Sequence, residues 1–260
     1  MTTATSTRTV SIDPGFSITV DEAGVGRPVL ILHGGGGPAT VAALSAYLSR
    51  SSHTITPTHP GWNGTAVSDR AGSIADLATL YLLYLRDRGL RDVLVVGSSI
   101  GGWIGVEMAL GDHAGLITGL VLIDAVGVDV EGEPIRDVFA LDARGVVTYS
   151  FHEPERFFVD PAIVPADRMA LQRANVASLR AVAGDPYMHD PDLLRRLPRI
   201  ELPVLLVWGE SDRIVTPAYG RAYADAFRDA RFEIVAEAGH LPHLEQPDAV
   251  FALIGTYAGR

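Results

Sequence analysis

The sequence predicts an α/β fold: a mostly parallel eight-stranded sheet flanked by helices, with a helical cap inserted after strand 6. Eight short β-branched runs recur along the 260 residues, and helix-like segments separate most of them. One long stretch then breaks the alternation. Strands that alternate with helices imply a sheet covered on both faces.

The runs are TVSI (9–12), SITVD (17–21), PVLILH (28–33), HTITP (53–57), DVLVVG (92–97), GLVLID (119–124), PVLLVWG (203–209) and RFEIVA (231–236). From the third onward most are almost continuously apolar, as strands buried on both faces should be. Residues 40–49, 73–88, 100–111, 217–228 and 247–257 place apolar residues at three-to-four spacing and read as helices. Between Asp124 and Pro203 there is no convincing buried strand. That stretch carries the helix-like segments 165–184 and 191–197, with Phe139, Tyr149, Phe151, Phe157, Phe158 and Tyr187 scattered through it. The expected organisation is a core of residues 1–124 and 200–260 with a helical cap over 125–199.

Composition removes several chemistries. An apolar fraction of 47% with 20% charged residues fits a globular chain with a well-buried core. The net charge of −10 repels phosphate backbones and anionic surfaces, so neither a nucleic acid nor a membrane is expected as a partner. All 21 basic residues are arginine, which excludes a Schiff-base or P-loop lysine. There is no cysteine, so thiol nucleophiles, disulfides and thiolate metal sites are excluded too. The first thirteen residues lack the apolar centre of a signal peptide, and no run reaches membrane-spanning length. A cytoplasmic protein is expected.

The chemistry-bearing stretch is LVVGSSIGG (94–102), a G-x-S-x-G pattern directly after a strand and before a helix. In that setting the serine sits on a strained bend, and the flanking glycines let strand and helix approach. The register selects Ser99, because Ser98 would need glycines where Val96 and Ile100 stand. A serine hydroxyl needs a base and an orienting acid. His240, in EAGHLPHLEQP beyond the last strand, is the candidate base, with His243 as its local competitor. Asp212, in VWGESDRIVTP, is the candidate acid; Glu210 and Asp124 are alternatives. The order Ser99, Asp212, His240 is that of nucleophile-elbow enzymes and not of chymotrypsin or subtilisin.

The glycine-rich LILHGGGGPAT (30–40) follows a strand and could aim backbone N–H groups at an oxyanion. It also fits a dinucleotide fingerprint through Gly34, Gly36 and Ala39. That reading fails because residues 23–68 contain no Asp or Glu to hold a ribose. No metal site is expected, since no paired histidine spacing with a carboxylate occurs.

With HGGGG (33–37), HPGWNGT (59–65), GSSIGG (97–102), WGESD (208–212) and AGHLPHLEQP (238–247), nearly the whole chain resembles the α/β-hydrolase superfamily. The resemblance implies acyl-enzyme chemistry on Ser99, with His240 as base then acid and Asp212 fixing the imidazole. The oxyanion donors implied are the N–H groups of Ile100 and Gly35, with Gly36 as alternative. His33 is implied to organise its loop, and His59 stands where relatives often carry an acid. A serine rather than an aspartate nucleophile argues against haloalkane or epoxide hydrolysis. It suits carboxylesters, lactones and thioesters, and secondly the C–C hydrolysis of vinylogous diketones from aromatic ring opening. In that second group a tryptophan usually follows the histidine; here it is Leu241. A cap arginine such as Arg173 or Arg180 is available. A perhydrolase or a slow ligand receptor could carry the same triad. The expected substrate is a small to medium, largely apolar ester, handled without a cofactor by a monomer or homodimer. Trp103, Phe157, Phe158, Met169, Met188 and Leu241 are the expected pocket residues, although each could equally pack the cap onto the core.

Overall fold

The computed structural model describes residues 5–13 and 16–258. Its strands are β1 (Ser6–Asp13), β2 (Phe16–Ala23), β3 (Pro28–Leu32), β4 (His53–Thr58), β5 (Val93–Ser98) and β6 (Ile117–Ile123). Two-residue strands β7 (Gly127–Val128) and β8 (His189–Asp190) follow, then β9 (Val204–Gly209) and β10 (Ala230–Val235). The main sheet has eight strands in the order β1-β2-β4-β3-β5-β6-β9-β10. Only the β1–β2 and β2–β4 pairings are antiparallel; every other pairing in it is parallel. The helices are α1 (Ala42–Leu48), α2 (Ile74–Asp87), α3 (Ile100–Gly111), α4 (Ala143–Ser150), α5 (Pro154–Phe157) and α6 (Ala166–Ala183). They continue with α7 (Leu193–Arg196), α8 (Pro217–Asp225), α9 (Pro242–Glu245) and α10 (Pro247–Ala258).

The continuous apolar runs have a direct explanation in the core. Leu30, Leu32, Val95, Leu120, Leu122, Leu206 and Trp208 face one hydrophobic cluster, shared with α2, α3 and α8. Their chain neighbours Val29, Ile31, Leu94, Val96, Val121, Ile123, Leu205 and Val207 face another, shared with α1 and α10. Successive side chains point to opposite faces of a strand, so a strand covered twice must be apolar at every position. The early strands lie at the edge, where alternation survives: Ile18 and Val20 are buried while Ser17 is exposed.

Between β6 and β9 lie β7, α4–α6, β8 and α7. The sequence showed no strand here, yet β7 pairs with β8 in parallel. Two residues are too few to leave a hydrophobic period. Helix α6 is fastened to the loop after β4. Asn175 Oδ1 accepts the Asn63 N–H at 2.9 Å, and Ser178 Oγ donates to the Gly61 carbonyl at 2.9 Å. Among the described residues no helix is long and apolar enough to cross a membrane.

The glycines around Ser99 are required by close approach. A Cβ on Gly97 would lie 2.2 Å from the Gly101 carbonyl oxygen, and one on Gly101 would lie 2.2 Å from that of Leu32. Backbone cannot yield as a side-chain tip can. Gly101→Ala is therefore expected to cost more than about 3 kcal/mol in chemical denaturation. Gly111→Ala, on the same helix, meets only Leu82 Cδ1 at 3.3 Å. It is expected to change stability by less than about 1 kcal/mol.

Candidate active site

Parallel strands end on one edge of the sheet, and that edge gathers residues far apart in sequence. Gly34 follows β3, Ser99 follows β5, Asp124 follows β6, Asp212 follows β9 and His240 follows β10. Sheet order, not chain order, makes them neighbours.

Ser99 adopts φ 54 and ψ −119, a left-handed-side conformation that costs a residue with a Cβ about 1–3 kcal/mol. Its N–H donates to the Ile123 carbonyl at 2.9 Å, and its carbonyl accepts the Gly102 N–H at 3.0 Å. Those bonds hold the bend while Oγ projects from the sheet edge. The Oγ lies 3.0 Å from His240 Nε2, and His240 Nδ1 lies 2.8 Å from Asp212 Oδ2. A carboxylate can only accept, so Nδ1 carries the hydrogen and Nε2 is left to accept the Ser99 hydroxyl proton. Asp212 Oδ1 accepts the N–H groups of Ile214 at 2.8 Å and Val215 at 3.1 Å. Thus the structure brings Ser99, His240 and Asp212 into one hydrogen-bonded line.

Their loops are also held. The His240 N–H donates to the Ser150 carbonyl at 2.7 Å. The buried Glu245 carboxylate accepts N–H groups from Gly239 at 2.6 Å, His152 at 2.9 Å and Glu153 at 3.1 Å. Sequence reasoning passed over Glu245, because a lone glutamate in HLEQP gives no sign of three backbone partners. His243 is buried away from this line, and burial pulls its imidazole down to about 4. Glu210 is exposed and receives the Glu237 N–H instead.

The glycine-rich loop lies opposite. A turn closed by the Gly37 N–H on the Gly34 carbonyl at 3.1 Å leaves Gly35 and Gly36 at its corners. Corner N–H groups make no bond within such a turn. Trp62 Nε1 donates to the Gly35 carbonyl at 2.9 Å and fixes that peptide. Ile100 opens α3, so its N–H has no intrahelical acceptor. Gly35, Gly36, Ser99 and Ile100 all border the same cavity.

Beneath the loop, the His33 and His59 rings lie against each other, centroids 3.8 Å apart and tilted by 35°. His33 Nδ1–H donates to the Gly34 carbonyl at 2.7 Å, and Nε2 accepts the His59 N–H at 3.1 Å. His59 Nε2–H donates to the His33 carbonyl at 2.9 Å, leaving Nδ1 to accept the Tyr81 hydroxyl at 2.6 Å. Every ring nitrogen is used by a neutral imidazole. Burial lowers His59 to about 4, and burial with His59 beside it holds His33 well below the usual range. The histidine at the position where relatives often carry an acid is therefore a strut for the loop.

The cavity above Ser99 measures about 280 Å³. Its walls include Val126, Ile135, Val138, Phe139, Phe151 and Leu179. Of the expected pocket residues, Met188 and Leu241 line it. Trp103, Phe157, Phe158 and Met169 do not. Trp103 packs against Gly127, whose Cβ would lie 2.6 Å from the Trp103 ring. Phe157 stacks on Phe151 from behind at 4.2 Å between centroids, Phe158 lies under Arg144, and Met169 is half-buried on α6. Asp124, Asp212 and His240 each bring one ligand atom within 4.8 Å of the others. A cation among them would compete with the His240–Asp212 hydrogen bond.

A sequence profile described as the Alpha/beta hydrolase family matches residues 29–253. The chain belongs to that family. Among curated relatives, it is 26% identical to 2-hydroxy-6-oxo-6-(2'-aminophenyl)hexa-2,4-dienoic acid hydrolase of Metapseudomonas resinovorans, over 87% of this chain and 82% of that one. It is 29% identical to pimeloyl-[acyl-carrier protein] methyl ester esterase of Aromatoleum aromaticum, over 88% of this chain and 97% of the esterase. A thermophilic esterase from Thermogutta terrifontis superposes with a TM-score of 0.75 at 24% identity, over 98% of this chain and 97% of the other. That last likeness speaks for the fold alone. The eight-stranded hydrolase fold and the hydrolase class expected from the motifs both hold.

The buried histidines make stability depend on pH. His59 and His243 have folded values near 4, below the ordinary 6.5, so the unfolded chain binds more protons between those values. Their contribution is present above pH 6.5 and is lost as pH falls towards 4. Replacing His243 by Leu is expected to shrink the stability loss between pH 7 and pH 5 by about 2 kcal/mol relative to wild type, read by denaturant titration at both pH values.

Proposed function

We propose that this protein is a serine carboxylic-ester hydrolase acting on small to medium, largely apolar esters, with lactones and thioesters in the same class. The observation that carries the reading is the Ser99–His240–Asp212 line opening into an apolar cavity. His240 takes the Ser99 proton as Oγ attacks the acyl carbon, and Asp212 stabilises the resulting imidazolium. The developing oxyanion falls to the N–H groups of Ile100 and Gly35. His240 then protonates the leaving alcohol, and water attacks the acyl-enzyme by the reverse path. The residues between β6 and β9 serve as the cap over the acyl chain. No cofactor, nucleic acid or membrane enters this chemistry, and a cytoplasmic monomer or homodimer suffices for it.

The size and polarity of the cavity support the substrate class. About 280 Å³ lies at the small end of ligand pockets, which run from roughly 300 Å³ upward. Its polar lining groups among the described residues are backbone, hydroxyls and His240, with no arginine. The second reading, C–C hydrolysis of ring-cleavage products, is favoured by the Metapseudomonas relative, whose substrate is named as a dienoic acid. A carboxylate entering this cavity would meet no arginine among the described residues that line it. Arg173 is exposed, and Arg180 is exposed with its guanidinium over the Phe139 ring at 4.1 Å. Neutral esters therefore rank first.

A fluorophosphonate probe is expected to label wild type and leave Ser99→Ala unlabelled; a folded wild type that stays unlabelled removes the main support. On a p-nitrophenyl ester, His240→Gln is expected to lose about 1,000-fold or more in kcat, and His243→Gln far less. Greater loss at His243 reverses the base assignment. Val138→Phe, which narrows the cavity, is expected to lower kcat/KM for an octanoate ester about tenfold relative to an acetate ester. Faster turnover of a dienoic-acid diketone than of any ester would favour the second reading.

A further inference from the structure

Asp124 approaches the triad from behind. It takes φ 44, and its N–H donates to the Val207 carbonyl at 3.0 Å, tying it between β6 and β9. The carboxyl is fully buried. Its Oδ1 accepts the Gly209 N–H at 2.9 Å, whereas Oδ2 meets no hydrogen-bond donor among the described residues. One Asp124 oxygen, one Asp212 oxygen and one His240 ring nitrogen all lie within 4.8 Å of one another.

Two ionised carboxylates so close, and so deeply buried, repel each other strongly. Among the described residues facing Asp124, Asp212 and Glu245 are acidic, and only His240 can carry positive charge. The donors settle which carboxyl keeps a proton. Asp212 accepts three N–H groups, Asp124 one, and Glu245 three from backbone. Burial first, then the Asp212 charge, holds the Asp124 carboxyl well above the usual carboxylate range.

We propose that Asp124 is a positioning residue: as a neutral carboxylic acid it donates its Oδ2 proton to Asp212 and holds that carboxylate against His240 Nδ1. The kinetic part rests on the serine-hydrolase reading above. The proton stays on Asp124 throughout turnover, so the pair carries a single negative charge. One charge balances the imidazolium that forms when Ser99 attacks. A second buried negative charge would be left unbalanced.

The infrared difference spectrum between wild type and Asp124→Asn at pH 7 is expected to show a protonated-carboxyl C=O band in wild type. In Asp212→Asn that band is expected to persist and move to higher wavenumber, because burial still keeps Asp124 neutral while its hydroxyl then donates to an amide oxygen instead of a carboxylate. Absence of the band in wild type overturns the proposal, whatever the activity. On a p-nitrophenyl ester, Asp124→Ala is expected to lose about tenfold to a hundredfold in kcat with little change in KM. Asp124→Asn keeps a donor towards Asp212 and an acceptor for Gly209, and left-handed φ suits asparagine. It is expected to recover at least about tenfold of that loss. Equal damage in both variants means that a carboxylate is needed and sinks the idea; full activity in both removes the positioning role. If Asp124→Ala does not fold, the wild-type band and the Asp124→Asn kcat decide. Failure of the hydrolase reading shows separately, as a wild type that takes no fluorophosphonate, since the band needs no turnover.

Discussion

Where β5 turns into α3, the backbones of three elements meet with no room for a side chain. Gly97 lies against Gly101, Gly101 lies against Leu32 at the end of β3, and Gly102 lies against Ala125 after β6. Because the approach is this close, the chain between Gly97 and Gly101 must reverse in a single residue, and Ser99 takes the strained conformation. The strain lifts Oγ off the sheet edge towards His240. It also starts α3 directly after Ser99, so that Ile100, whose N–H has no intrahelical acceptor, borders the cavity. The Ser99 conformation and the direction of α3 are consequences of one packing contact.

Around that contact, buried polar groups are committed to fixed hydrogen-bond partners. His33 and His59 spend all four ring nitrogens on neutral hydrogen bonds, so they brace the glycine-rich loop without adding positive charge beside it. Glu245 is satisfied by three backbone N–H groups and anchors the His240 loop to the segment after α4. A low-dielectric site punishes any group left in the wrong protonation state, which is why each has fixed partners. His240 differs from these in that its two nitrogens face a carboxylate and a hydroxyl.

The strands, the helices and the triad candidates were readable because each leaves a local signature. A doubly covered strand is apolar at every position, a helix repeats its apolar residues, and an elbow needs glycines on both sides of its serine. The two-residue strands β7 and β8 leave none. The pocket was readable only in part. Met188 and Leu241 face the cavity, but Trp103 turns to Gly127 and Phe157 to the far side of Phe151. An aromatic in a cap can face inward or across, and its neighbours decide.

By itself, then, the amino-acid sequence determined the order of elements, the position of the strained serine turn and the types of side chain that could meet it. These depend on spacing along one strand, turn or loop, where covalent geometry sets which residues can meet. Tertiary structure decided everything that depends on which strand ends lie side by side. It chose His240 over His243, joined His59 to His33, set Asp124 behind Asp212, and left the cavity wall without arginine. Those outcomes follow from sheet order and from how the cap packs, and neither leaves a period in the chain.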